Sequence, residues 1–170
     1  MNRRHFLKSV AAGGTVVVTS WPVSPAYPAE NSLAPGCKVF TVFQATLVDA
    51  IAEQFVPKDD YPGGKEAGVV YFIDGILAGP FGKFYKDRYE RGLQMVDDLS
   101  HNRFGHNFVS LDSDQQASIL KALESGEGGS SRGREFFALI LQDAMKGYYG
   151  DSLHGGNRGE ASWKMIKFEG

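Results

Sequence analysis

Apolar residues recur at intervals of three and four along much of the chain, the spacing typical of amphipathic helices. The first such stretch covers residues 41–55, with Thr41 as its expected N-cap and Pro57 just beyond its end. A second helix is predicted to begin at residue 65 or 66 and to run to residue 78. Residues 69–73 alone would also suit a strand, but the apolar spacing continues beyond them and favours a helix.

The sequence 79–82, Gly-Pro-Phe-Gly, predicts a break before a third helix over residues 83–99. That helix has apolar residues on one side and most of its charges on the other. Ser113, with Gln116 three residues later, predicts a capping box at the start of a fourth helix.

Residues 124–132 are rich in glycine and serine and predict a flexible loop. Residues 134–149 predict the last strong helix, which is apolar on more than one face and is therefore expected at the centre of the bundle. The sequence has no sustained alternation of apolar and polar residues of the kind that predicts a strand. The sequence therefore predicts one all-α domain over residues 41–170, a compact bundle of about five helices.

Glycine accounts for 21 of the 170 residues, and it is concentrated near the C-terminus. The same segment ends in large apolar side chains, which a flexible linker would leave exposed. We therefore expect residues 147–170 to form an ordered, glycine-rich coil packed on the surface of the bundle.

Residues 1–26 have the pattern of a twin-arginine export signal, with a basic start, a short apolar run and a small-x-small exit. Cleavage after Ala29 is an alternative, and so is retention of the signal as an anchor. This route carries folded proteins, usually with a cofactor or a bound partner, across the membrane. Residues 27–40 are interpreted as a linker or early coil. The export signature consists of Arg3, Arg4, Phe6, Leu7 and Lys8.

The composition excludes several classes of protein. The chain has 18 basic and 20 acidic side chains, so it lacks the basic footprint of a nucleic-acid-binding protein. Its single cysteine, Cys37, excludes an internal disulfide framework, a four-cysteine metal site and a CxxCH haem attachment. Cys37 lies in a poor lipobox, which makes a lipid anchor the less favoured alternative.

Residues with possible catalytic or metal-binding chemistry lack the partners that such chemistry needs. His101 and His106 are five residues apart and do not form an HExxH motif. Asp59-Asp60 could bind a cation, but the neighbouring prolines favour a turn and helix-capping role. Glu66 and Asp74 have no acid–base partner. We therefore predict no catalytic, cofactor-binding or metal-binding residue in this chain.

Two glycine-containing segments are predicted to contact a partner protein. The second resembles a phosphate-binding loop only superficially, since no strand precedes it and no Lys-Ser/Thr pair follows it. The aromatic residues after it suit either an interface or the core. The candidates are Tyr61, Pro62 and Gly63 in the first segment, and Gly155, Gly156, Asn157, Trp163, Ile166 and Phe168 in the second.

Three segments in order resemble the gluconate 2-dehydrogenase subunit 3 family. They are residues 50–74, with the pattern Val-Pro-x-Asp-Asp-x-Pro-Gly-Gly, then residues 108–120, and then residues 149–168, with Tyr-Gly-Asp and Gly-Gly-Asn. The resemblance as a whole covers essentially all of residues 41–170. Ser152 stands where the family often has proline and Lys167 where it often has glycine, so turns there are expected to differ.

The resemblance implies a small subunit without a redox centre of its own. In that family a large subunit with bound FAD oxidises a sugar or sugar acid, and a multihaem cytochrome c subunit passes the electrons on. This chain would escort the flavoprotein through the twin-arginine translocase and stabilise a periplasmic complex that is associated with the membrane indirectly. The alternatives are a stand-alone exported metal- or ligand-binding protein and a subunit that shapes the electron path.

Overall fold

A computed structural model describes residues 32–127 and 131–168. The predicted export signal, residues 27–31 of the predicted linker and residues 128–130 of the predicted loop lie outside the described residues.

The described chain is all-α, which confirms the predicted fold class. Short 3₁₀ turns at Phe108–Ser110, Ser152–His154 and Arg158–Glu160 join some of the helices. The helices are α1 (Val42–Phe55), α2 (Val69–Ala78), α3 (Gly82–Phe104), α4 (Ser113–Ser125), α5 (Ser131–Tyr149) and α6 (Ala161–Met165).

The starts of the first two helices show where local sequence decides the structure. Thr41 caps α1 as predicted, and its hydroxyl group and the Gln44 side chain form a reciprocal capping box. Helix α2 begins at Val69, so the predicted start at residue 65 or 66 is wrong. Gly68 has a left-handed φ of 77° and ends a series of turns before the helix.

Three other boundaries also correct the sequence predictions. Helix α3 continues five residues beyond the predicted end and stops at Gly105, which is left-handed with φ 76°. The capping box of α4 uses Asp112 and Gln115, one residue earlier than predicted, because the Asp112 carboxylate accepts from the Gln115 N–H at 2.9 Å. Helix α5 begins at Ser131, inside the predicted loop.

Helix α5 is central to the bundle, as predicted, and packs against α1, α2, α3, α4 and α6. The Tyr89 ring of α3 meets the Phe136 ring of α5 edge to face, with centroids 5.8 Å apart, and lies at a tilt to the Phe40 ring, with centroids 6.0 Å apart. The Tyr89 hydroxyl group donates to the Asp143 carboxylate at 2.8 Å, and burial, followed by Asp143, raises the pKa of Tyr89 far above its usual range. This pair satisfies polar groups within the core.

The described part of the predicted linker is irregular chain that packs on the bundle. The carboxylate of Asp74 on α2 is 2% exposed and accepts the backbone N–H groups of Lys38, Val39 and Phe40 at 2.7 to 2.9 Å. Three consecutive N–H groups around one carboxylate form an anion-holding nest. Asp74 therefore fixes the entry of the chain into α1.

The C-terminal segment is ordered, but it is not coil throughout. Its described residues contain two 3₁₀ turns and the short helix α6, which packs against α5. Three non-glycine residues here, Asn157, Glu160 and Lys167, have positive φ angles, so the backbone bends sharply without glycine at each bend.

Candidate partner interface

The loop over residues 57–64 is fixed by side chains on either side of it. The carboxylate of Glu53, on α1, accepts the backbone N–H groups of Lys58 at 2.9 Å and Lys65 at 3.2 Å. Asp59 accepts the Tyr61 N–H at 2.8 Å and so forms the predicted turn. It does not cap α2, whose N-cap is Gly68.

The three interface candidates in this loop differ in their accessibility. Tyr61 is 37% exposed, whereas Pro62 is partly buried and Gly63 is buried. A side chain at Gly63 would collide with the Glu53 carboxylate. Of the three, only Tyr61 has a large exposed side chain, and the other two shape the loop.

Gly155, Gly156 and Asn157 face inward. Gly155 has φ 94° and lies over the backbone of Tyr71 on α2, and Gly156 is buried against the carbonyl group of Gly147 on α5. These residues bring the C-terminal segment close to two helices. These residues therefore lie at the contact between the C-terminal segment and helices α2 and α5.

Asn157 is fully buried, and its side chain stabilises the fold of the C-terminal segment. Its side-chain N–H donates to the Gly150 carbonyl at 2.9 Å. Its side-chain oxygen accepts both the backbone N–H of Ser162 at 3.0 Å and the Ser162 hydroxyl group at 2.9 Å. Asparagine tolerates the left-handed φ of 44° found here better than most residues do.

Arg158 joins the same segment to α2 and was missed by the sequence analysis. Its backbone N–H donates to the Ala67 carbonyl at 3.0 Å, and its guanidinium lies 3.7 Å from the centroid of the Tyr71 ring. Gly68 leaves room for the arginine, because a side chain there would meet its aliphatic stem. The spacing of residues along the sequence gives no indication of this contact, because Arg158 and Tyr71 are 87 positions apart.

The aromatic end of the chain divides into an anchored ring and an exposed surface. Trp163 is partly buried, and its indole N–H donates to the Tyr149 carbonyl at 3.2 Å. Its ring contacts the Phe168 ring at 5.3 Å. Ile166 and Phe168 remain 58% and 54% exposed, and Tyr149 is 46% exposed. We define Tyr149, Trp163, Ile166 and Phe168 as the C-terminal apolar surface.

A group of ionisable residues lies between the N-terminal segment and α1. Burial, followed by the Asp74 and Asp49 carboxylates, raises the pKa of the Cys37 thiol to about 11, so this thiol is protonated at neutral pH. Burial also raises the pKa of Asp49 to about 6. Its Oδ1 atom is buried and has no hydrogen-bond partner among the described residues.

The other residues considered for chemistry have different surroundings. His101 is exposed and lies 3.7 Å from Asp97, and His106 and His154 are also exposed. Glu66 pairs with Lys58 at 2.6 Å. Within residues 32–127 and 131–168, no group of three or more His, Cys, Asp or Glu side chains is placed to hold a metal ion.

The described helices are too short or too polar to span a membrane. Among them, none combines the length and the apolar character needed to cross a bilayer.

The chain was compared with curated proteins, solved structures and family models. The chain finds no match among the curated proteins and none among the solved structures. The family model described as gluconate 2-dehydrogenase subunit 3 matches residues 43–170, from the first turn of α1 to the last residue. Since this range is most of the chain, the protein belongs to the gluconate 2-dehydrogenase subunit 3 family.

Proposed function

We propose that this chain is the non-catalytic small subunit of a periplasmic, membrane-associated dehydrogenase whose FAD-containing large subunit oxidises a sugar or sugar acid. It escorts that flavoprotein through twin-arginine export and stabilises the complex, which passes electrons to a multihaem cytochrome c subunit. The observation that carries the proposal is the family match over residues 43–170 behind a leader with paired arginines. FAD and haem c belong to the partners in this proposal.

The C-terminal apolar surface supports the stabilising role. Tyr149, Ile166 and Phe168 are each close to half exposed, and the hydrogen bond from Trp163 to the Tyr149 carbonyl holds part of this surface in place. Aromatic and large aliphatic side chains on an ordered support are typical of the centre of a protein interface. We infer that the flavoprotein covers this surface.

The export role is tested by changing only the arginine pair. In the Arg3→Lys/Arg4→Lys variant the charge is retained but the twin-arginine signature is lost. We expect the flavoprotein and its dehydrogenase activity to accumulate in the cytoplasm instead of the periplasm. The matched control is Lys38→Arg, which exchanges an exposed basic residue outside the signature and should leave export unchanged. Normal periplasmic activity of the flavoprotein in the double variant would contradict the escort role.

The docking role is tested separately, with the flavoprotein given its own export signal. The Ile166→Asp/Phe168→Asp variant places two charges where the partner would bury apolar surface, and we expect loss of co-purification with the flavoprotein. The control is Leu33→Asp, since Leu33 is also exposed, at 56%, and lies far along the chain from this surface. Equal loss in both variants, or in neither, would contradict docking at the C-terminal apolar surface.

A further inference from the structure

A groove between α3 and α5 is bordered by three arginines. It contains an open cavity of about 360 Å³, with Arg88 and Arg91 from α3 and Arg132 and Glu135 from α5 at its edge. The whole chain has a formal net charge of −2, so this concentration of positive charge is local.

The floor of the groove is apolar and firmly packed. Gly92 of α3 lies directly against the ring of Phe136, and a methyl group on Gly92 would collide with that ring. Phe136 is itself held edge to face by Tyr89. Met95 and Leu139 complete the apolar lining of the cavity. Close packing of α3 on α5 therefore gives this groove a fixed shape.

Little of the positive charge at the edge is neutralised within the domain. Arg88 and Glu135 are 3.9 Å apart with both side chains more than half exposed, a geometry that contributes little in water. Arg91 and Arg132 are exposed and have no ion-pair partner in the described part of the chain. Two arginines thus remain available to an acidic ligand beside an apolar floor.

The groove is longer than a small anion requires. A second, shallower depression of about 400 Å³, lined by α3 alone, shares Arg91 and Met95 with the first and extends past Asp98 to Asn102. At 1.5 Å per helical residue, the distance from Arg88 to Asn102 is about 21 Å. Phe84 of α3, 74% exposed, lies on the same side of the helix at its other end, as a rotation of 100° per residue places it. Phe81, the N-cap of α3, is 73% exposed.

From this geometry we propose that the α3–α5 groove binds a segment of a partner protein that carries both acidic and apolar side chains. The three arginines outnumber the two acidic residues of the lining, Glu135 and Asp98, so charge complementarity favours acidic side chains in the bound segment. The groove's length and apolar floor favour a polypeptide over a free anion. The groove lies along the N-terminal half of α5, whereas the C-terminal apolar surface adjoins its last turn. The domain can therefore hold two protein segments at once.

The test uses the full-length chain purified with its bound proteins from its native host. A photo-cross-linking amino acid replaces the exposed Asn102 at the groove, and Glu90, on the opposite side of α3, is the control position. We expect position 102 to cross-link to a partner peptide in which Asp or Glu lies near apolar residues, and position 90 not to do so.

Charge reversal shows whether the arginines hold that peptide. Arg91→Glu/Arg132→Glu should lower the cross-link yield by about tenfold, and Arg91→Gln/Arg132→Gln by less. Lys86→Glu/Lys121→Glu reverses two exposed charges elsewhere on α3 and α4 and should leave the yield unchanged. Thermal melting of each purified variant checks that it is folded, and the glutamine variant serves if the glutamate variant is not.

Several outcomes would overturn the proposal. For the cross-linker at position 102, they are the absence of any cross-linked product, a cross-link to a phospholipid or to a second copy of this chain, and a cross-linked peptide without acidic residues. For the charge-reversal variants, the contradicting outcome is an unchanged cross-link yield. The experiment identifies the peptide bound at the groove, so its result does not depend on whether the proposed function is correct. A cross-link to an acidic, apolar peptide supports the groove assignment whichever protein supplies the peptide. Whether the flavoprotein co-purifies with the chain bears only on the proposed function.

Discussion

The hydroxyl group of Tyr148, near the end of α5, donates a hydrogen bond of 2.9 Å to the carbonyl oxygen of Pro62. Tyr148 is 1% exposed, so this bond fixes the loop over residues 57–64 to the bundle from within. The next residue, Tyr149, accepts the indole N–H of Trp163. One turn of α5 therefore supports both segments that the sequence analysis assigns to a partner interface.

The Tyr148→Phe variant should loosen the loop without disturbing the helix. It removes one largely buried hydrogen bond and leaves the Pro62 carbonyl without this donor, so we expect the free energy of unfolding to fall by about 1 kcal/mol. Backbone amides of residues 58–64 should exchange faster with deuterium. Tyr149→Phe is the matched control, because Tyr149 is 46% exposed and should show neither change. If deuterium exchange over residues 58–64 is unchanged in the Tyr148→Phe variant, the Tyr148–Pro62 hydrogen bond does not fix the loop.

Asn157 permits two structural effects to be separated. Asn157→Gly accepts the left-handed φ of 44° but loses the side-chain hydrogen bonds to Gly150 and Ser162, and we expect a loss of about 2–3 kcal/mol. Asn157→Ala also forces an alanine into the left-handed region, which adds about 1 kcal/mol. Urea unfolding of both variants measures the difference. Equal stability of the two would contradict the role assigned to the backbone angle.

Two glycines within helices should respond to alanine in opposite directions. At Gly92 a methyl group meets the Phe136 ring, so Gly92→Ala should lower the free energy of unfolding by about 1–3 kcal/mol. At Gly75 the nearest atom is 4.0 Å away, so Gly75→Ala should raise it by about 0.5–1 kcal/mol through helix propensity. Thermal and urea unfolding measure both. A stabilised Gly92→Ala variant would contradict the close α3–α5 packing.

Helix positions were predictable from the sequence because each depends on residues a few positions apart. Thr41 and Gln44 form their capping box locally, and the apolar spacing of α5 is visible without its neighbours. The start of α2 was mispredicted because turns ending in the left-handed Gly68 precede it. At α4, Asp112 and Ser113 are both good N-caps, and sequence alone did not distinguish them.

The exposure of the interface candidates was predictable only in part, because it depends on tertiary contacts. Gly155, Gly156 and Asn157 occur in a conspicuous motif, but their role is to pack the C-terminal segment on α2 and α5. The stacking of Arg158 on Tyr71 and the Gly92–Phe136 contact below the arginine-bordered groove join distant parts of the chain. Periodicity carries no information about such pairs, so both needed the structure.

Asp49 should make the stability of the domain depend on pH in an unusual direction. Its pKa is raised to about 6 in the folded protein, mainly by burial, against an ordinary value of 3.8. Between about pH 4 and pH 6 the folded state therefore holds a proton that the unfolded state has lost. The contribution of this group to the free energy of unfolding falls as the pH rises through that window and is constant above it.

The Asp49→Asn variant tests this contribution, since asparagine has nearly the same shape and no charge. We expect it to be more stable than the natural chain by about 1 kcal/mol at pH 7, a value reduced for the partial exposure of the group, and to lose that advantage near pH 4. Asp60→Asn makes the same charge change at an exposed position and is the control. Urea unfolding at several pH values gives the difference between each variant and the natural chain. A difference that is independent of pH would mean that the Asp49 carboxylate is solvated in the folded domain. The buried Oδ1 atom, which has no hydrogen-bond partner among the described residues, argues against that outcome.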